Sequence, residues 1–483
     1  ERLSTILAEE EKVEKEKFII SEEEVKFIDR LKPLFKSSII HYLQERLTRS
    51  VTEDIVSSGI PISPRIISAR SIVYMLLSAI ITIPLAIYLS SNIHPSFIAL
   101  ILTPAFTFLY PLMQLKMMSN ERKKSIEEEL AFFASYASIM QRVGKSLYYS
   151  LSDIIMSNIF KTIEREAMLI RRNVVFFGMD QLDAINDLAI NHPNYTFRTF
   201  LLGYVSIARS GGDLARYLES KSNEFFDELK FKMSMYSNHA STISEAMLMA
   251  LIVMPMLIIS AGFIVPGGFF ASFGPISFIG IPMLTGALII MAEKAQPKNK
   301  DEIRHTNYAL VSGGIAAVIM LYLSLNLNFD TWLALGITAL SAAGINALYT
   351  LPQIKKITNI DKALPDLMRD ITEYRKIGYD INQAIIKLSE ERTYNKIFDN
   401  LLADIASKLR FGYSLSEAVA SIRIRSWLAR LIFFNLSKVA DTGGGSAELL
   451  EYITNFVTQY NTAKKDMLSS VRLYSLIAYA EPL

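Results

Sequence analysis

Between Ser210 and Pro255 the chain permits one long helix and little else. FRTFLLGYVSIAR (197–209) reads as an apolar helix that breaks at Ser210-Gly211-Gly212, and beyond Asp213 no Gly or Pro occurs until Pro255. Consecutive glycines let one helix stop and another start at a new angle, because Gly tolerates positive φ. Asp213 suits the start of the new helix, where free N–H groups and the dipole favour a carboxylate. Residues 213–243 are amphipathic and charged, and from Ala246 the run is continuously apolar (AMLMALIVMPMLIISAGFIV). At 1.5 Å per residue an unbroken helix over 213–254 is about 60 Å long, roughly twice the hydrocarbon thickness of a bilayer. The expected element is a rod, half in water and half in lipid. A second copy follows: Thr442-Gly443-Gly444-Gly445 closes the apolar helix FFNLSKVAD, and a breaker-free run extends from Ser446 to Glu481.

Six apolar segments come in pairs at about 72–90, 95–113, 246–266, 274–292, 308–326 and 332–350. Each approaches the ~20 residues needed to span a bilayer. Buried helices of a large soluble protein would satisfy length alone, but not the pairing across short connections. With 51% hydrophobic and 20% charged residues and a mean hydropathy of +0.27, the chain is less polar than a soluble protein of this size. The loops 91–97, 266–274 and 325–331 carry no Lys or Arg, whereas 293–307 carries Lys294, Lys298, Lys300 and Arg304. Basic residues stay on the cytoplasmic side, so the N-terminus and both large inserts are expected inside.

The two inserts match each other. ELAFFASYASIMQRVGKSLYYSL (129–151) aligns with ALPDLMRDITEYRKIGYDINQAI (363–385), which sets Gly144 opposite Gly378. Phe177-Gly178-Met179-Asp180 falls opposite Phe411-Gly412-Tyr413-Ser414 at the same shift of 234 residues, and Gly211-Gly212 falls opposite Gly443-Gly444 at 232. Three glycine-centred joints at nearly one offset predict an internal duplication. The fold class expected is all-α: a polytopic membrane protein with two homologous helical-bundle domains. Its parts are an N-terminal cytoplasmic helical region (1–70), membrane pairs at 71–113, 246–292 and 308–350, cytoplasmic domains at 114–245 and 351–472, a linker at 293–307, and the start of another membrane segment at 473–483. The repeat predicts two further spans beyond AYAEPL, and a chain that begins at Glu1 without Met reads as trimmed at its start.

The expected chemistry is sparse. There is no phosphate-cradling G-x-x-x-x-G-K-[ST] motif, no cysteine for thiolate or disulfide chemistry, and no metal-ligand spacing among His41, His94, His192, His239 and His305. No catalytic residue, cofactor or metal is expected. A formal net charge of +2 with interspersed charges gives no nucleic-acid footprint. Glu127, Glu128 and Glu129 read either as a solvated helix turn or as a contact to a partner or cation. Arg171-Arg172 and Lys355-Lys356 read as ordinary inside-facing charges, or as contacts to a partner or to lipid headgroups.

SIARSGGDLARYLESKSNEFF and KVADTGGGSAELLEYITNFV carry a family likeness: each insert resembles the type II secretion system F domain. Two such domains flanked by paired spans resemble the platform proteins of the archaellum and of archaeal pili, and each unit resembles a bacterial tight-adherence platform protein. The resemblance covers 114–260 and 351–475 and implies a cytoplasmic-membrane platform, not an enzyme. It implies a hexameric secretion ATPase, pilin or archaellin subunits and the lipid bilayer as partners, and a homodimer at the centre of the ATPase. Read by their charge, Glu127, Glu128, Glu129, Arg171 and Arg172 are the candidate contacts to that ATPase. The alternative class, a carrier or channel with duplicated halves, explains the repeat. It leaves the large inserts and the lack of ionisable residues in the spans without a role.

Overall fold

The computed structural model describes residues 45–48, 51, 52, 55, 64–92, 101–190, 192–257, 260, 283, 284, 286–288, 290, 291, 300–303, 311–316, 318, 319, 322, 331–443 and 445–480. Among these the elements are helices, with no strand. The chain packs as two compact units. One comprises Glu1–Leu130 and Phe160–Asp213, and the other Ala131–Ile159 and Leu214–Leu483. The packing units therefore cut across the sequence interval 114–245.

In the first unit, α1 (Pro64–Asn92) starts with proline at the position where a missing N–H costs nothing. Its first turns are buried, with Ile67 packing on Val51, Ile55 and Leu115. From Leu77 onward the same helix turns large aliphatic groups outward, including Ile80 at 71% exposure and Ile81 at 65%. Ile66–Tyr88 has a mean hydropathy of 2.1 and is the one helix among the described residues long and apolar enough to cross a membrane. Beside it α2 (Thr103–Arg142) also bares Phe106, Leu109, Tyr110 and Met113. The Ser78 and Thr107 hydroxyls join the two helices at 2.7 Å. Exposed apolar faces of this extent mark contact with lipid or protein. The other five apolar segments lie partly or largely outside the described residues, except 332–350, which begins a longer helix.

The remaining helices of this unit are α4 (Lys161–Phe177), α5 (Gln181–Ile190) and α6 (Tyr195–Ser210); α3 (Leu147–Ile154) belongs to the second unit. Asn194 caps α6 in the ordinary way, its side chain accepting from the Phe197 N–H at 2.7 Å.

The second unit holds the end of α2, α3, α7 (Leu214–Leu248), α8 (Thr331–Lys376), α9 (Ile381–Glu391), α10 (Lys396–Arg410), α11 (Leu415–Ala420), α12 (Trp427–Asp441) and α13 (Ala447–Ala480). The rod expected over 213–254 is α7, continued by a π-helical turn, Met249–Val253. The sequence gives no warning of that turn beyond Pro255, which follows it; a proline removes one donor and crowds the turn before it, and a wider turn relieves that crowding. The second rod is α13, 34 residues long. Both α2 and α8 run without interruption from an apolar start into a polar end, so the boundaries read at 113 and 350 are changes of polarity, not of backbone.

Candidate functional site

The glycines singled out in the sequence take the backbone the joints require. Gly144 and Gly378 have φ of +87° and +99°, Gly178 and Gly412 have +65° and +88°, and Gly211 and Gly443 have +72° and +98°. At the first rod, the Gly211 N–H reaches the Ala208 carbonyl and the Gly212 N–H reaches that of Ile207, so the last carbonyls of α6 are satisfied before α7 begins. Gly212 is needed for space: a Cβ there would meet Ile207 Cγ2 at 2.9 Å. At the second rod Gly445 is held twice over, by φ of +62° and by Val439 Cγ1, 2.7 Å from where a Cβ would stand. Gly444 lies outside the described residues.

The two rods lie side by side within the second unit. The Tyr452 hydroxyl donates to Ser222 Oγ at 2.8 Å, the Phe226 and Phe456 rings pack at 4.9 Å, and Lys230 Nζ donates to Gln459 Oε1 at 2.9 Å. The partners are separated by 230 and 229 residues along the chain at the two ends of this contact. A constant separation means that α7 and α13 are parallel and in register. Beyond Lys230 a cleft of about 520 Å³ lies between them, lined by Met233, Ser237 and Asn238 on one side and Thr462, Asp466 and Met467 on the other. The rod starts are braced by neighbours. Arg142 pairs with Glu219 at 2.6 Å and stacks over Tyr452, while Arg375 Nε donates to the Gly445 carbonyl at 3.1 Å.

A clasp from residues 300–303 holds the same unit; sequence reasoning did not find it. Asp301 Oδ1 accepts from the Trp427 N–H at 2.8 Å, capping α12 together with Ser426, whose Oγ accepts from the Ala429 N–H. Glu302 Oε1 takes Arg430 at 2.7 Å, and its backbone N–H donates to the Arg425 carbonyl. Lys300 Nζ sits 4.9 Å over the Trp427 ring. Trp427 is buried edge-on to Phe132 at 4.7 Å and donates its indole N–H to the Ile159 carbonyl at 2.9 Å. From the rod, Lys464 reaches Asp361 at 2.9 Å and approaches Asp301 at 4.0 Å. Burial works against the Lys464 charge, but Tyr460, Asp361 and Asp301 outweigh it and hold the ammonium firmly protonated. Burial raises the Asp301 carboxyl above its usual range, with Lys464 opposing. The one sequence signal was an Asp-Glu pair beside basic residues in a short linker, which periodicity does not flag.

The acidic and basic candidates of the first unit divide. Glu129 is buried, and its Oε2 accepts from the Thr162 and Ile163 N–H groups, both at 3.0 Å. It caps α4 from another helix, because Phe160 at the cap position has no acceptor to offer. Glu127 Oε1 accepts from Asn194 Nδ2 at 3.0 Å, and Glu128 is half-buried. Arg171 is half-buried; Arg172 is exposed and lies 5.8 Å over the Phe177 ring. Replacing Glu129 with alanine strands two backbone donors, one of them buried, and is expected to cost about 1–3 kcal/mol, read as faster hydrogen exchange at Thr162 and Ile163 and a lower thermal midpoint.

Deeper in this unit Arg122 clamps Glu166 Oε1 with Nε at 2.9 Å and Nη2 at 2.6 Å, and His192 Nε2 stands 3.7 Å from the same oxygen. Burial alone would raise the Glu166 carboxyl; His192 and Arg122 outweigh it and hold it below the usual carboxylate range. A depressed acid contributes stability that is full above its unfolded value, about 4.3, and is lost as pH falls through the folded value. The thermal midpoint of the wild type is therefore expected to fall on acidification below that range, and Glu166→Gln to flatten this slope. An unchanged slope in the variant would remove the pair from the account. Among the described residues no group of three or more His, Asp or Glu converges as a metal site would require.

The type II secretion system protein F family model matches residues 133–261 and 367–479, together half of the chain. The chain belongs to that family. Each matched segment contains one rod and the glycine joint that launches it. F-family proteins are inner-membrane platforms of type II secretion and type IV pilus-like systems, and work there with secretion ATPases and pilin-like subunits. No curated protein and no solved structure matches the chain.

Proposed function

We propose that this chain is the cytoplasmic-membrane platform of an archaeal type IV filament machine, an archaellum or a pilus. It couples a cytoplasmic secretion ATPase to the insertion of pilin-like subunits and to filament assembly or rotation. The observation that carries the reading is the pair of F-family segments, each built around a glycine joint and a rod of 34 or 35 residues. The positive φ of both glycines in each of the three aligned pairs supports an origin by internal duplication. The outward apolar faces of α1 and α2 support a multi-pass protein whose F domains stand in the cytoplasm. The protein catalyses no reaction itself. The ATPase displaces the F domains, and the rods and the linker clasp carry that displacement to the membrane segments. Packed helices switch between discrete arrangements and compress little, so a rod loses little of the shift it carries.

Affinity isolation from solubilised membranes is expected to recover a secretion ATPase and pilin-like subunits with the tagged chain. Because the chain has no cysteine, single cysteines at His94 and His305 report its orientation directly, the first expected to label from outside and the second only from inside. A chain isolated without either partner, or labelled in the reverse sense, would contradict the proposal.

A further inference from the structure

Phe177 and Phe411 occupy the same position of the two aligned inserts, each immediately before a left-handed glycine, and they are 68% and 84% exposed. Neither ring is needed by the fold around it. Phe177 is touched by Arg172 alone among the ring contacts of the described residues, and Phe411 has no ring contact among them. The turn needs only its glycine and the cap that follows. Asp180 accepts from the Leu182 N–H in the first insert, and Ser414 forms a capping box with Glu417 in the second. A phenylalanine left in water forgoes the stabilisation of burial, and here the same position does so twice. Further apolar groups adjoining each ring in the chain are exposed too: Val175 and Phe176 before Gly178, and Tyr413 after Gly412.

Each tip also carries a cation with no carboxylate partner among the described residues. These are Arg172, which reaches only Asn173 and the Phe177 ring, and Lys408, which donates to the Ser421 hydroxyl. The second tip stands at the far end of α8 from its apolar start, since Tyr374 and Arg410 pair with Glu391 and Glu390 there. From Leu351 to Lys376 the helix extends about 40 Å, beyond the reach of a bilayer holding the apolar start.

We infer that Phe177 and Phe411 are two equivalent anchors for the secretion ATPase, each ring entering an apolar pocket with an acidic rim. Two like anchors on one chain match a partner that repeats one pocket, as a homo-oligomeric ring does, and the unpaired cations match the acidic rim. This inference rests on the platform reading and names the surface through which that reading works. Two-point engagement multiplies affinity by effective concentration and adds no new kind of contact.

The test uses the full chain in lipid nanodiscs and the purified hexameric secretion ATPase of the same organism as probe. Phe177→Ala and Phe411→Ala are each expected to weaken binding about tenfold, and the double variant at least a hundredfold, with thermal midpoints unchanged because neither ring is packed. Arg172→Glu and Lys408→Glu are expected to weaken binding as well. Wild-type affinity in the folded double variant would overturn the anchors while leaving the platform reading intact. A wild-type chain that fails to bind the ATPase would overturn both. Loss of binding to protein-free anionic vesicles in the double variant, with ATPase binding retained, would reassign the tips to lipid.

Discussion

Met233→Pro is expected to abolish filament assembly while the chain still inserts into the membrane at wild-type levels. Met233 is buried in the middle of α7, just past the Lys230–Gln459 bond to α13 and at the edge of the cleft between the rods. Proline there removes the hydrogen bond to the Leu229 carbonyl and drives its ring against that turn, at a cost of about 3 kcal/mol or more in a helix interior. The apolar residues beyond Ala246 are untouched, so insertion has no reason to fail. A hinge replaces a stiff element, and a displacement at the glycine joint dissipates in bending. Met233→Leu, which conserves volume and helix preference, is the control and is expected to assemble filaments normally. Quantifying filaments per cell by negative-stain microscopy, beside membrane-fraction immunoblots, reads both halves of the expectation. Normal filaments in a membrane-inserted Met233→Pro strain would remove the rod from the mechanism.

Trp427→Ala is expected to be the most damaging single truncation in the second unit. It empties a buried site lined by Phe132, leaves the Ile159 carbonyl without its donor and withdraws the ring under Lys300. Large aromatic truncations in cores cost about 3–5 kcal/mol, against a total stability of about 5–15 kcal/mol for a typical domain. Trp427→Phe separates the parts. It keeps most of the packing and strands only the carbonyl, for a loss of about 1–3 kcal/mol. The linker supplies a second readout. Asp301→Ala removes the acceptor for the Trp427 N–H and should free residues 300–303, so that limited proteolysis cuts the linker before the bundle unfolds. Equal resistance of wild type and Asp301→Ala would show that the linker is not held by this cap.

The joints and rods were legible because they depend on local chemistry. Glycine pairs stop helices, and the absence of Gly and Pro over 213–254 and 446–481 leaves a helix as the natural outcome. The parallel pairing of the rods was not legible. It depends on Ser222 meeting Tyr452 and Phe226 meeting Phe456, and no local pattern states which of several amphipathic faces will meet. The clasp was hidden for a related reason. Asp301 and Glu302 look like two surface charges until Arg430, Lys464 and the start of α12 are brought to them by the fold. The Glu127-Glu128-Glu129 run misled in part. An acidic turn suggests a solvated or partner-facing surface, but Glu129 faces inward because α4 arrives with an uncapped end. The tip aromatics stood in the aligned motif from the start, yet exposure is a property of packing, and only the structure separates an exposed ring from a core ring.

The most direct test of the platform reading is deletion of the gene, followed by negative-stain electron microscopy of the cell surface and a swimming assay, with the wild-type gene restored as control. The account expects a class of filament to vanish and to return on complementation. Loss of swimming together with its filament places the protein in an archaellum, and loss of thin pili with swimming intact places it in a pilus. Cells that keep every filament would contradict the central claim.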